Sequence, residues 1–208
     1  MSKFDSGLRL PVKPPRTPLK TEIMWGCESG GSHHFPRDIE TIHTRRHSPA
    51  PRPLEAFSKA VSSAVDRIWV VDEYFLKPDT SVQPDGRILT ILDWLHAGLV
   101  ASDIRILTRM HAEVPEDMLQ LFQMREEEIN TRQARRAKCC SIQVNTRLRQ
   151  DFDYIHDRFA VVDDELWHFG ATVGGFHASV NAASRGWCAV DSGAIAFFEL
   201  AWDKCKEK

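Results

Sequence analysis

The sequence predicts an α/β domain in which a mixed β-sheet is sandwiched by helices, preceded by a proline-rich N-terminal arm. Three observations predict it. From Leu54 onward, helical apolar spacing alternates with short β-branched runs, in the order helix–strand–helix–strand–helix–strand–strand–helix. Eight of the 11 prolines fall at or before Pro53, and proline removes a backbone donor and blocks helices. Hydrophobic residues make up 42% of the 208 residues, enough for one core.

The arm, residues 1–53, carries those prolines and the Gly30-Gly31-Ser32 stretch, and is expected to be extended or disordered. Its strand-like residues Glu22 to Trp25 could dock on the domain or on a partner chain. The domain, residues 54–208, opens with LEAFSKAVSSAVDR, where Leu54, Phe57, Val61 and Val65 share a helical face. RIWVVDEYFL reads as a buried strand. KPDTSVQPDG is a loop punctuated by Pro78, Pro84 and Gly86. RILTILDWLHAGLV is a second amphipathic helix and DIRILTR a second strand. PEDMLQLFQMREEEINTRQARRAK is a long helix with Pro115 at its start and acids in its first turn. SIQVNTRL is a third strand. HDRFAVVD and ELWHFG pair around a tight turn at Asp163-Asp164-Glu165. The stretch after Gly175 suggests loop and short helix, and GAIAFFELAWDKC a closing helix, although AIAFF also reads as strand. Trp69, Trp94 and Trp202 read as core, and Trp167 as packed under the sheet.

Charge and cysteine usage narrow the function classes. Net charge is −2, but residues 1–53 hold nine Lys and Arg against five Asp and Glu. The remainder holds 18 against 24, so a basic arm precedes an acidic domain. A general nucleic-acid binder is more basic than this, so any such contact must use a local patch. The histidines His33, His34, His43 and His47 of the arm have no fixed geometry for a metal; contact with a partner or a nucleic-acid backbone suits the arm better than metal binding, and a disordered tether is the default reading. Arg132, Arg135, Arg136 and Lys138 crowd one helix end, where cations complement the dipole. Five scattered cysteines without a C-x-x-C pair support neither a zinc knuckle nor a disulfide framework. Adjacent Cys139 and Cys140 read as small core residues. With no apolar signal core at the N-terminus and no run of about 20 apolar residues, a cytoplasmic chain without a membrane role is expected.

The chemistry concentrates in IHDRFAVVDDELWHFGAT, residues 155–172. His156 and Arg158 leave one face of a strand, Asp163 follows after four residues and Gly170 after six more. A neutral imidazole can attack phosphorus, a guanidinium can hold two phosphate oxygens, and a carboxylate can orient the imidazole. Gly170 would admit substrate close to the backbone.

The spacing H-x-R-x4-D-x6-G resembles the signature of the phospholipase D superfamily, H-x-K-x4-D followed at six residues by Gly-Ser. HDRF…D…WHFGA is similar to a bacterial subgroup in which Arg replaces Lys. The element order from Leu54 onward fits as well. The resemblance implies a phospholipase D-like fold and a metal-independent phosphodiesterase without a cofactor. His156 would be the nucleophile that forms a phosphohistidine or the general acid, Arg158 would hold phosphate and Asp163 would support a His. Gly170, Thr172, His168 and Glu73 would line or bind the substrate. Thr172 stands in for the Ser displaced by Ala171, His168 lends a hydrogen bond from the neighbouring strand, and Glu73 closes the first strand. Val173 stands where Asn is usual. The family's site uses two facing motifs, and this sequence holds one: the nearest other, His43-Thr44-Arg45, has Ala50 at the Asp position. A working enzyme would therefore be a homodimer with a shared site. A nuclease on DNA or RNA is the expected activity, in a bacterial defence or mobile-element setting. The alternative expectation is a catalytically silent dimerisation or docking module that meets a partner protein through the arm.

Overall fold

A computed structural model describes residues 19–25, 35–46, 54–78, 86–132, 138–175 and 181–206. Gly30 to His34, His47, Arg135 and Arg136 lie outside the described residues. Seven strands form one mixed sheet: β1 (Glu22–Trp25), β2 (Arg67–Val71), β3 (Asp103–Leu107), β4 (Ser141–Asn145), β5 (Phe159–Val162), β6 (Glu165–Phe169) and β7 (Ala182–Cys188), in the order β1-β7-β6-β5-β2-β3-β4. β2, β3 and β4 run parallel, and every other pairing is antiparallel. The parallel trio is joined by helical crossovers, as parallel strands require: α3 (Gly86–Trp94) and α4 (Met118–Arg132). The other helices are α1 (Ile39–Arg46), α2 (Glu55–Ser62), the one-turn α5 (Leu148–Asp151) and α6 (Ala194–Lys204). A mixed α/β architecture is therefore what the chain adopts.

The sheet is buried on both faces, which is why IWVV reads as a continuous apolar run. Ile68 and Val70 of β2 join α2, α3 and α4 in one core, whereas Trp69 and Val71 join α6 and Leu148 in the other. In the first core Phe57 meets Trp94, Trp167 and Phe169 edge-on, at centroid distances of 5.7, 5.3 and 5.0 Å. In the second, Trp69 stacks on Phe198 at 4.7 Å and Phe198 on Trp202 at 5.7 Å. The tryptophan assignments hold: Trp69, Trp94, Trp167 and Trp202 are all buried.

Four expectations are corrected. Ile39–Arg46 inside the arm is helical despite the flanking prolines, because the Asp38 carboxylate accepts the Thr41 N–H at 2.7 Å and the Thr41 hydroxyl at 3.0 Å, an N-cap. Val65 lies beyond α2 and is exposed. Of the adjacent cysteines only Cys140 is core, and Cys139 is exposed. Where loop and short helix were expected after Gly175, the described part, Ala182–Cys188, is strand β7. That sequence, AASRGWC, has little intrinsic strand preference; it is held by pairing on both sides, with β6 and β1. The arm residues Glu22–Trp25 thus dock on their own domain.

The sheet edge at β4 is covered by α4. At β4, the Glu126 carboxylate accepts the Ile142 N–H at 2.5 Å. Asn130 exchanges hydrogen bonds of 2.7 and 2.9 Å with the Cys140 backbone. Side chains of α4 thereby cap that edge. No helix among the described residues is long and apolar enough to cross a membrane.

Candidate functional site

The topology brings four chain segments to one end of the sheet. Parallel β2 and β4 end there, antiparallel β5 begins there and β6 ends there. Crevices at the carboxyl ends of parallel strands are the usual ligand sites of open α/β sheets. Asp72 to Tyr74, Arg149, His156 to Arg158 and Gly170 to Val173 all lie at this end.

His156 is the exposed member. Its side chain is 71% accessible, and its Nδ1 stands 3.7 Å from Glu73 Oε1, an ion-pair separation longer than a hydrogen bond. Glu73 is 4% exposed. Its second oxygen lies 3.5 Å from Nη1 of Arg149, so one buried carboxylate serves both the imidazole and a guanidinium. The Glu73 carbonyl accepts Nε2–H of His111 at 2.7 Å, which fixes the backbone there. With Nδ1 turned to Glu73, Nε2 of His156 is left for a ligand.

Asp72 performs the corresponding service for Arg158. It is fully buried and accepts the Tyr74 N–H at 2.8 Å and the Val173 N–H at 2.7 Å. Nε of Arg158 lies 3.7 Å from Asp72 Oδ1, and its guanidinium sits 4.9 Å over the Tyr74 ring. Tyr74 stacks in turn on His111 at 5.2 Å. Burial pushes the Asp72 carboxyl up to about 6, against the two amide hydrogen bonds and the Arg158 and Arg87 charges that favour its ionised form. Buried Arg87 also donates to the Tyr74 carbonyl at 3.0 Å. Arg87, Arg149 and Arg158 stand among buried Asp72 and Glu73 and exposed Asp157, so cations balance acids at this end of an otherwise acidic domain.

Of the residues singled out in the sequence, the fold brings His156, Arg158 and Glu73 together. It sends Asp163 elsewhere. Asp163 closes the β5–β6 turn with φ 56°, at the opposite end of β5 from His156. Its carboxylate accepts the N–H groups of Val65, Asp66 and Arg67 at 3.1, 2.7 and 3.2 Å, securing the start of β2. The carboxylate beside the imidazole is Glu73 instead. His168 faces Asp157 at 3.5 Å and pairs in register with Phe159, one residue out of step with Arg158 and His156. It therefore supports Asp157 rather than the motif. Gly170 is exposed, but its amide donates to the Ala182 carbonyl at 2.9 Å, and a Cβ would come 3.3 Å from that oxygen. Its smallness serves the approach of β7. Thr172 is fully buried and its hydroxyl has no hydrogen-bond partner among the described residues, so it does not face substrate.

Arg149 is the site residue that sequence reasoning misses: it sits on the unpredicted α5, where no spacing rule marks it. Asp72 ends the first predicted strand beside Glu73, where a lining residue is expected, and the structure places it behind Arg158.

No family model matches the chain, and no curated protein matches it. Among solved structures, one similar chain is TrmBL2, an archaeal chromatin protein whose structure shows a novel mode of DNA binding. The likeness has a TM-score of 0.39 and 11% sequence identity, over 96% of this chain and 55% of that one. This chain thus spans about half the length of that neighbour, and so distant a likeness carries no inference about its fold or activity.

Proposed function

We propose that the chain is a phospholipase D-like phosphodiesterase that cleaves nucleic acid through a histidine nucleophile, at a site completed by a second copy of the chain. The observation that carries this reading is the pairing of exposed His156 with buried Glu73, flanked by Arg149 and Arg158. The seven-stranded mixed sheet with helices on both faces suits a phospholipase D-like fold.

The chemistry follows from the placement. Arg158 and Arg149 hold the non-bridging oxygens of a phosphodiester. The Nε2 lone pair of His156 attacks phosphorus, and the bond to the leaving oxygen breaks. That oxygen takes a proton from His156 of the second copy. Glu73 meanwhile stabilises the charge that appears on the first imidazole. Water then attacks phosphorus, gives its proton to the second histidine and releases the first.

The test is incubation with single- and double-stranded DNA and RNA in excess EDTA, beside a His156→Ala variant. Cleavage is expected to survive chelation and to fall by at least about 100-fold in the variant. Cleavage that needs added metal overturns the histidine mechanism. Absence of cleavage by an intact assembly leaves the docking-module reading in its place.

A further inference from the structure

We propose that Tyr154 is a stacking platform that makes the site selective for unpaired nucleic acid. The inference rests on the phosphodiesterase reading above and names its substrate class. Tyr154 is 70% exposed, so its ring adds little to the core, and burying it would be the ordinary use of so large an aromatic. It stands in the tight turn Phe152–Ile155, closed by the Ile155 N–H donating to the Phe152 carbonyl at 3.3 Å, immediately before His156.

The platform is built rather than loose. Phe152 meets the Tyr154 ring edge-on, with centroids 6.0 Å apart and planes at 74°. Phe152 itself packs on the α6 core, and its amide donates to the Leu148 carbonyl at 2.8 Å. Arg149, Tyr154 and His156 therefore follow one another along a single short segment: a cation, an exposed ring, then the nucleophile. Two residues of chain span at most about 7 Å, which puts the ring within reach of a base attached beside the scissile phosphate.

Every base has a π-face, so stacking on Tyr154 requires no particular sequence. It requires only that the face be free. In a duplex both faces are covered by neighbouring pairs, and the base must first be unstacked. The same ring that favours a single strand thus disfavours a double one.

The test uses a short oligothymidylate and the matching oligouridylate, each intact or with one abasic residue placed in turn along the strand, in excess EDTA. For the native chain, removal of the base beside the cleaved phosphate is expected to lower kcat/KM by roughly 5- to 150-fold, the range that base–aromatic stacking spans. Tyr154→Ala is expected to lose the same factor on the intact strand and to be indifferent to the abasic position. Tyr154→Phe should retain both the rate and the sensitivity. The two arms show whether the sugar matters. Cleavage dependent on His156 that is equally fast on intact and abasic strands overturns the platform and leaves the phosphodiesterase reading standing. Absence of His156-dependent cleavage on every strand overturns both.

Discussion

Asp72 and Glu73 are neighbours in sequence at the end of β2, and each holds one cation of the site by a buried carboxylate. Glu73 has His156 and Arg149 on its two oxygens; Asp72 has two backbone amides and Arg158. Burying Asp72 is costly, since its carboxyl rises to about 6 from an ordinary 3.8. The folded chain therefore holds more protons than the unfolded one between those values. Stability falls as pH rises through that window, and the whole cost of the buried charge is present above about 6. Asp72→Asn carries no such charge at any pH. Its thermal midpoint relative to the native chain should thus improve between pH 4.5 and 7.5, by on the order of 2 kcal/mol. That corresponds to roughly 2–4 °C per kcal/mol for a domain this size. A gap between the two midpoints that stays constant over that range would show that burial does not perturb Asp72. Sequence spacing found His156 and Arg158 because they are near neighbours in the chain. It misplaced the supporting carboxylate, because four strand residues separate Arg158 from Asp163, and a carboxylate at the far end of β5 can only serve the far end. Glu73 reaches His156 through the pairing of β2 with β5, a long-range contact that no local spacing encodes.

At the scale of elements, legibility follows how much of each segment's fate is written in its own side chains. β2 and β5 are apolar on both faces and read plainly as strands; α6 reads as a helix over its whole length, although AIAFF alone also fits a strand. β7 does not read as a strand, because its small residues take strand form only from their neighbours. Gly186 shows how tight that dependence is. Its φ is +92°, and a Cβ there would fall 2.0 Å from the Lys20 carbonyl oxygen and 2.7 Å from the Thr21 Cα. No side chain fits while β1 lies on β7. Gly186→Ala must both strain the backbone and lift β1, at a cost of about 1–3 kcal/mol from the strained φ alone. Amide exchange should accelerate across Glu22–Trp25 and Ala182–Cys188, while Ile68 to Val71 in the sheet centre stays protected. Equal acceleration in β2 would mean that the sheet opens as a unit, and that β1 is not a separable edge.

For the whole molecule, the site's position at one end of the sheet bears on assembly. His156 is largely exposed there, so a second copy can bring its own histidine opposite. The chain supplies one His-x-Arg motif with a buried acid behind it, and the proposed reaction needs a general acid as well as a nucleophile. A site that needs both histidines makes a quantitative demand. When native and His156→Ala chains carrying different tags are co-expressed in equal amounts, random pairing gives native, mixed and variant dimers in about 1:2:1 proportion. If one cleavage site requires His156 from both chains, only native dimers cut, and specific activity drops to about a quarter of native. If each chain cuts alone, it drops to about half. Mixed dimers isolated through both tags sharpen the contrast: they should be inactive in the first case and half-active in the second. Half-activity would dissolve the shared site while leaving the His156–Glu73 pair as the reacting unit of each chain. The missing acid would then have to come from within the chain, and the exposed His168 with Asp157 would be the first pair to substitute.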